Sequence, residues 1–408
     1  MTMTLDVAAQ IRTFNAGRDP RRLKLKHAAM RASPFAFLRG TCHLFYARMA
    51  RGGVHKAAPK VWVCGDLHLE NFGSYKGDNR LAYFDINDFD ESALAPATWD
   101  LVRFLASVQV GAAALKVGDR KAQRLCETFV EAYADALALG KAYWVERDTA
   151  TGLVHELLEG LGQRDRASFI AKRTRLKGNK HVLRVDGVKA LAADPGQRKR
   201  VAAFMREFAK TQATPSFYEL LDVACRIAGT GSLGVERYVI LVRGKGSPDR
   251  NYLLDLKVSA ASSLTPRLKV TQPRFASQAA RIVAAQRRLQ AVPMDFLHAV
   301  EFDGKPAVLR GLQPSEDRVE LDRAGGDMKA LGPLLATMGQ VLAWAQLRSA
   351  GQGGSASVDA LIDFGRRQQW RAPLLAASRE CAAQVFADAK AYNAAFDAGF
   401  FALAKPGN

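Results

Sequence analysis

The stretch GTGSLGVERYVILVRG, residues 229–244, decides the fold. Gly229, Gly231 and Gly234 have GxGxxG spacing, but a dinucleotide-binding turn of that pattern opens directly into a helix. The segment that follows, VERYVILVRG, is rich in β-branched and aromatic residues and predicts a strand instead. Upstream, YELLDVACRIA (218–228) also reads as a strand, so the glycines become the turn of a hairpin. Working outward, NYLLDLKV (251–258), FLHAVEF (296–302) and KPAVLRGL (305–312) read as further strands, with ASQAARIVAAQRRLQAV (276–292) as one helix among them. Residues 215–312 therefore predict a small sheet with a single helix.

A strand, a glycine turn and a second strand cover the nucleotide triphosphate in protein kinases, where backbone N–H groups without side chains approach the phosphates. The next strand places Lys257 where such folds keep a phosphate-pairing lysine. A matching catalytic loop lies far upstream, in VCGDLHLENF (63–72). Asp66 and Asn71 stand five residues apart, the interval at which a kinase aspartate accepts the substrate hydroxyl proton and an asparagine helps to hold Mg²⁺. GDLHLEN also carries His68, a histidine seen in aminoglycoside and choline phosphotransferases. Seventeen residues on comes Asp88 in NDFDES, with Asp90 beside it, and then Asp100 in WDL. Oxygen-rich Mg²⁺ coordination suits a carboxylate from Asp88, with Asp90 as a further candidate. The order is inverted relative to ordinary kinases, because the glycine hairpin and its lysine follow the catalytic loop by about 160 residues. A circularly permuted, kinase-like α+β fold is the expectation: bilobal, with a small antiparallel sheet lobe and a larger, mostly helical lobe. The expected boundaries are 1–212 for the first part of the helical catalytic lobe, 213–315 for the sheet lobe and 316–408 for the second part of the helical lobe.

The remaining chain fits that frame. SPFAFLRGTCHLFYARMA (33–50) reads as one helix with Ser33 and Pro34 at its start, KVWVC (60–64) as a short strand and SYKGDNRLAYFDI (74–86) as a hairpin. Apolar spacing is helical from Thr98 to about residue 160, and again beyond QPSED (313–317). Residues 161–200 are strongly basic and read either as a solvated connection or as an anion-binding lid. SAGQGGSAS (349–357) reads as a flexible linker, and IDFG (362–365) as a chance likeness to a kinase metal motif, since its context is helical. With 59 Lys and Arg against 40 Asp and Glu, the 408-residue chain carries a net charge of +19, which favours anionic partners. Charge alone admits nucleic acid, with no recognition motif behind it. Cys42, Cys64, Cys126, Cys225 and Cys381 form no CxxC pair, and no apolar run approaches a membrane span, so a soluble, cytoplasmic chain without membrane insertion or a cleaved signal is expected.

SPFAFLRG, GDLHLENFG, FDINDFDE, WDLVRF, the GTGSLG hairpin, LLDLK and LRGLQPSEDRV together resemble a bacterial family known as domain of unknown function 2252, over roughly residues 30–350. The resemblance implies a kinase-like phosphotransferase using ATP and Mg²⁺. Asp66 would be the base, His68 a further loop residue of the catalytic set, Asn71 and Asp88 metal ligands, and Lys257, the three glycines and Gln313 the cofactor-binding set. The chain departs from the expected pattern in having Val258 after the lysine and no acid in RIVAAQRR, which leaves Lys257 without an obvious acidic partner. Cys64 and Gln346 also replace expected histidines. The leading functional expectation is an ATP- and Mg²⁺-dependent phosphotransferase acting on a hydroxyl of a small molecule or protein, with nucleotidyl transfer as a variant. The alternative is a nucleotide-binding pseudoenzyme or regulatory module with an anionic partner. A calcineurin-like phosphoesterase is disfavoured, because seven histidines include no downstream GNH-type segment.

Overall fold

The computed structural model describes residues 5–49, 53–313 and 317–402. Pro314, Ser315 and Glu316 of the LRGLQPSEDRV segment lie outside the described residues, as do residues 1–4 and 403–408. The chain opens with helices α1 (Val7–Phe14), α2 (Pro20–Ala32), α3 (Pro34–Gly40) and α4 (Cys42–Arg48). The single helix expected over 33–50 is thus divided at Thr41, whose hydroxyl donates back to the Phe37 carbonyl, 2.6 Å away. Strand β1 (Lys60–Val63), the hairpin β2 (Phe72–Lys76) and β3 (Ala82–Ile86), and β4 (Ala93–Pro96) frame the candidate catalytic loop. Helices α5 (Thr98–Val110) and α6 (Asp119–Leu139) follow, then β5 (Val145–Glu146) and α7 (Gly152–Gly162). Phe104, Leu105, Phe129 and Tyr133 from α5 and α6 pack into the main core.

The basic stretch folds rather than remaining a loose connection. It forms α8 (Arg166–Ala171), the hairpin β6 (Thr174–Lys177) and β7 (Lys180–Leu183), and β8 (Ala190–Ala192), and leads into α9 (Pro195–Lys210). Next come β9 (Leu220–Arg226), β10 (Arg237–Val242), β11 (Tyr252–Val258), α10 (Gln278–Leu289), β12 (His298–Phe302) and β13 (Lys305–Gly311). These strands form a six-stranded sheet in the order β12-β13-β11-β10-β9-β8, antiparallel at each pairing. The sheet thus reaches back to residue 190 through β8, whose weak apolar signal is hidden in a basic run. Strand alternation sorts its residues. Tyr238, Ile240, Leu254, Leu256 and Leu309 pack with Met205 and Phe208 of α9, while Ala224, Val239, Leu241 and Leu253 lie on the opposite face. That opposite face also carries Arg226, Arg237, Asp255, Lys257 and Arg310, by the same alternation.

Helices α11 (Met328–Arg348), α12 (Val358–Arg366) and α13 (Arg371–Asp397) complete the chain. Leu335, Met338 and Leu342 of α11 enter the same core as Phe129 and Tyr133. The Gly/Ser turn after α11, read as a linker, is instead fastened to β1: Trp62 Nε1 donates to Gln352 O at 2.9 Å, and Ala356 N donates to Lys60 O at 2.7 Å. IDFG is part of α12. The chain ends near where it began, with Arg48 on Asp388 and His27 Nδ1 2.9 Å from Tyr392 Oη. No helix among the described residues is long and apolar enough to cross a membrane.

Candidate active site

The GDLHLEN loop is shaped by α5. Asp100, in the first turn of that helix, accepts hydrogen bonds from Cys64 N (2.8 Å) and Gly65 N (2.9 Å), and Tyr46 Oη donates to Gly65 O at 2.6 Å. Gly65 has φ +90°, and a Cβ there would sit 2.2 Å from Glu91 O, so only glycine permits this entry. Burial raises the Asp100 carboxyl to about 6, against the hydrogen bonds that favour its ionised form. One turn along the helix, Arg103 is fully buried and donates to Asp66 Oδ1 from Nε (3.0 Å) and Nη2 (2.6 Å). Asp66 Oδ2 takes no hydrogen bond among the described residues. Burial raises the Asp66 carboxyl, with Arg103 opposing it. Asn71 Nδ2 donates to Asp66 O at 3.0 Å, which assigns Oδ1 as the outward acceptor. His68 is buried, accepts Glu70 N at Nδ1 (3.2 Å) and is held neutral by burial, so it shapes the turn Leu69–Asn71.

A backbone bond from Asn87 N to Asn71 O, 2.9 Å, ties the NDFDES segment to this loop and sets Asp88 in the same cleft. Lys257 forms an ion pair with Asp90. The expectation that Lys257 lacks an acidic partner is thereby overturned. The acid arrives from a loop 167 residues away rather than from α10, and α10 contributes Arg281, which donates to Asp90 O at 2.8 Å. Burial would raise the Asp90 carboxyl, but Lys257, followed by Arg310 and Arg237, holds it below its ordinary range. Asp90, expected as a second metal ligand, is thus engaged as the lysine's counter-ion.

The glycine turn faces Asp66 across the cleft: a Cβ on Gly231 would stand 3.9 Å from Asp66 Oδ2 and 3.0 Å from Arg39 O. The turn is clasped by α2 and the loop before it, whose Arg18 and Arg22 line the same cleft. Arg18 donates to Gly231 O (2.8 Å), Arg22 to Val235 O (2.8 Å), and buried Lys26 to Gly231 O (3.1 Å) and Asn15 Oδ1 (2.9 Å). Asp66, His68, Asn71, Asp88, Asp90, Lys257 and the three glycines therefore line one cleft of about 570 Å³. Gln313 does not join them; it lines an adjoining pocket behind the turn. Asn71 Oδ1 and an Asp88 carboxylate that accepts, among the described residues, only Asp90 N, at 3.3 Å, suit a Mg²⁺ ion that would bring phosphate oxygens and water as its other ligands. Among the described residues no group of three or more His, Cys, Asp or Glu side chains could hold a metal alone.

Several participants escape the sequence. Arg18, Arg22 and Lys26 act on backbone carbonyls more than 200 residues away, for which no local pattern exists. Arg103 had a signal, three residues after Asp100 on one helix face. Glu91 also lines the cleft, accepting Ser263 N (2.6 Å) and Oγ (3.0 Å), and burial raises its carboxyl to about 7. Its folded value lies above the unfolded value of about 4.3. The associated stability is complete below that unfolded value and is lost as pH rises through about 7. Glu91→Gln is accordingly expected to gain stability relative to the parent between pH 5 and pH 8, read as the difference in melting temperature at the two pH values; a constant difference would rule this out.

Compared with known families, the chain matches the family model described as "Uncharacterized protein conserved in bacteria (DUF2252)" over residues 18–395. Comparison with curated proteins and with solved structures gives no match in either.

Proposed function

We propose that this chain, which belongs to the DUF2252 family of uncharacterized proteins conserved in bacteria, is an ATP- and Mg²⁺-dependent phosphotransferase on a permuted kinase-like scaffold. The observation that carries this is the meeting of Asp66, Asn71, Asp88, the glycine turn and the Lys257–Asp90 pair in one cleft, from segments about 160 residues apart. Permutation is supported by the turn after α11 lying against β1, and by the contacts of α2 and α4 with α13. Bound Mg²⁺-ATP would supply the transferable phosphoryl group and neutralise its charge. Lys257 and the N–H groups of the turn bind phosphate oxygens, and Asn71 Oδ1 with Asp88 holds the metal. Asp66 Oδ2 accepts the proton of the acceptor hydroxyl. Arg103 keeps the other carboxylate oxygen in place, so the base presents a single fixed atom. Burial makes that carboxylate a stronger base than a solvated one.

A second reading, nucleotide binding without transfer, is favoured by one feature: Asp66 Oδ1 is held twice by a buried arginine. Thermal unfolding with Mg²⁺-ATP against Mg²⁺ alone tests the site that both share. A nucleotide-dependent rise of a few degrees is expected in the parent and its loss in Lys257→Ala; no rise in the parent at millimolar ATP would refute both. Formation of labelled product from γ-labelled ATP separates transfer from binding alone.

A further inference from the structure

The sheet face beside Lys257 is unusually charged. Asp255 stands two residues before the lysine on β11, is wholly buried, and takes guanidinium groups from three other strands: Arg226 of β9, Arg237 of β10 and Arg310 of β13. A purine calls for a mostly apolar slot. Here three cations share one carboxylate and leave net positive charge at the surface of the sheet. Burial and the crowding of Arg237, Arg310 and Arg318 lower Arg226 to about 9 even beside Asp255.

This face forms the floor of a second pocket, of about 420 Å³, roofed by the folded basic stretch. Among the described residues, eight Lys and Arg side chains line it, with Lys172 and Arg184 at the rim and Arg318 paired with Glu70, together with the carboxylates of Asp88 and Asp186. Of these two, Asp186 is occupied by the N–H groups of Val188, Lys189 and Ala190 in its own loop, at 2.7–3.1 Å, and Asp88 is the proposed metal ligand at the boundary with the cleft. Gln313 adds a buried Nε2 that has no hydrogen-bond partner among the described residues. Asp88, Gly229, Ser232 and Arg318 line both the pocket and the cleft, so the two spaces are contiguous.

We infer that this pocket is a binding site for a chain of phosphates, as carried by a multiply phosphorylated small molecule. Planar arginines fixed by Asp255 present donors in a rigid array that matches phosphate oxygens, and the enclosed volume suits a small ligand rather than a polymer backbone. The phosphates could belong to the nucleotide itself or to a separate phosphorylated acceptor. The inference deepens the functional reading above, since the pocket opens onto the same Asp88, but its chemistry does not depend on transfer.

Calorimetric titration of the full chain with inorganic tripolyphosphate tests it. The titration is made on Lys257→Ala, in which the phosphate site of the cleft is disabled, and one saturable site is expected there. Lys172→Glu/Arg184→Glu, at exposed rim positions, should weaken it at least tenfold, and the milder Lys172→Gln/Arg184→Gln pair should weaken it less. The parent should show this site and, beside it, a cleft site that Lys257→Ala removes. No saturable site in Lys257→Ala, or binding there unchanged by both rim pairs, overturns the assignment, as does tighter binding of a single-stranded oligonucleotide at equal salt. Saturation with a non-hydrolysable Mg²⁺-ATP analogue identifies the source: tripolyphosphate is excluded where the pocket holds the nucleotide's own phosphates, and still binds where it serves a separate acceptor. Retained tripolyphosphate binding in a protein that shows no thermal response to Mg²⁺-ATP would sink the nucleotide assignment while leaving this pocket standing.

Discussion

Asp255→Ala is expected to lower the unfolding free energy by about 3–5 kcal/mol, the range for leaving a buried charge network without its counter-charge. The residue is completely buried and central to Arg226, Arg237 and Arg310, so its removal sets three guanidinium groups against one another in a low-dielectric layer. Asp255→Asn preserves shape and one acceptor oxygen. It should lose nearly as much, because the deficit is charge rather than volume. Burial alone would raise the Asp255 carboxyl, but the three arginines outweigh it and hold the group far below its ordinary range. For a depressed carboxyl, the stabilisation is present above the unfolded value of about 3.9 and disappears as pH falls below it towards the folded value. Urea denaturation at pH 7 and pH 3 checks both halves: the gap between parent and variant should be large at the first and smaller at the second. A change of less than about 1 kcal/mol at pH 7 would mean that the arginines find other partners. Tripolyphosphate should stabilise Asp255→Ala more than the parent, since an added anion replaces the missing carboxylate.

The same knot shows why part of this molecule was legible in its sequence and part was not. The glycine hairpin, Lys257 and the Asp66–Asn71 interval declare themselves because each is a local pattern: a change from helical to alternating periodicity, a turn that excludes side chains, a fixed spacing on one loop. The strands β9–β13 follow from the same alternation, whereas their order, with β13 between β11 and β12, does not. Partners that meet only in three dimensions leave no such trace. Asp90 reaches Lys257 from 167 residues away, and a search for an acid on the helix after the lysine finds none because α10 supplies Arg281, which holds the backbone of the acid instead. Composition misled in two places. The Gly/Ser-rich turn 349–357 looks mobile, yet Trp62 and Lys60 fasten it, and Ser355 Oγ donates to Ser349 O at 2.6 Å. The basic stretch looks solvated, yet it supplies β8 to the sheet edge and a roof to the second pocket. In both cases part of what fixes the segment lies outside it, Trp62 for the turn and β9 for the basic stretch.

Asp66→Asn is expected to reduce turnover by about 10²–10⁴-fold while leaving the thermal response to Mg²⁺-ATP in place, the range assigned to a positioned general base. The separation of effects follows from geometry. Asp66 holds Arg103 through Oδ1, whereas Oδ2 faces the glycine turn with no hydrogen bond among the described residues, and neither Lys257 nor the turn, the proposed phosphate-binding groups, is hydrogen-bonded to either oxygen. An asparagine retains the hydrogen bond to Arg103 with its carbonyl oxygen and puts an amide, which cannot accept a proton, in place of Oδ2. Because Arg103 is fully buried, the variant also loses the counter-charge of that cation and should be less stable by several kcal/mol, up to the roughly 3–5 kcal/mol of a broken buried pair. Turnover must therefore be compared at a temperature where circular dichroism shows both proteins folded. Arg103→Lys provides the contrast: it keeps the charge but cannot make the same two-nitrogen contact, so it should lose turnover through a mobile base yet keep the pH profile of the parent. Undiminished turnover in Asp66→Asn would remove Asp66 from the chemistry. A loss of nucleotide response together with turnover would make it a binding residue, and the proton would then need another acceptor, for which Glu91, in the same cleft and raised to about 7, is the nearest candidate.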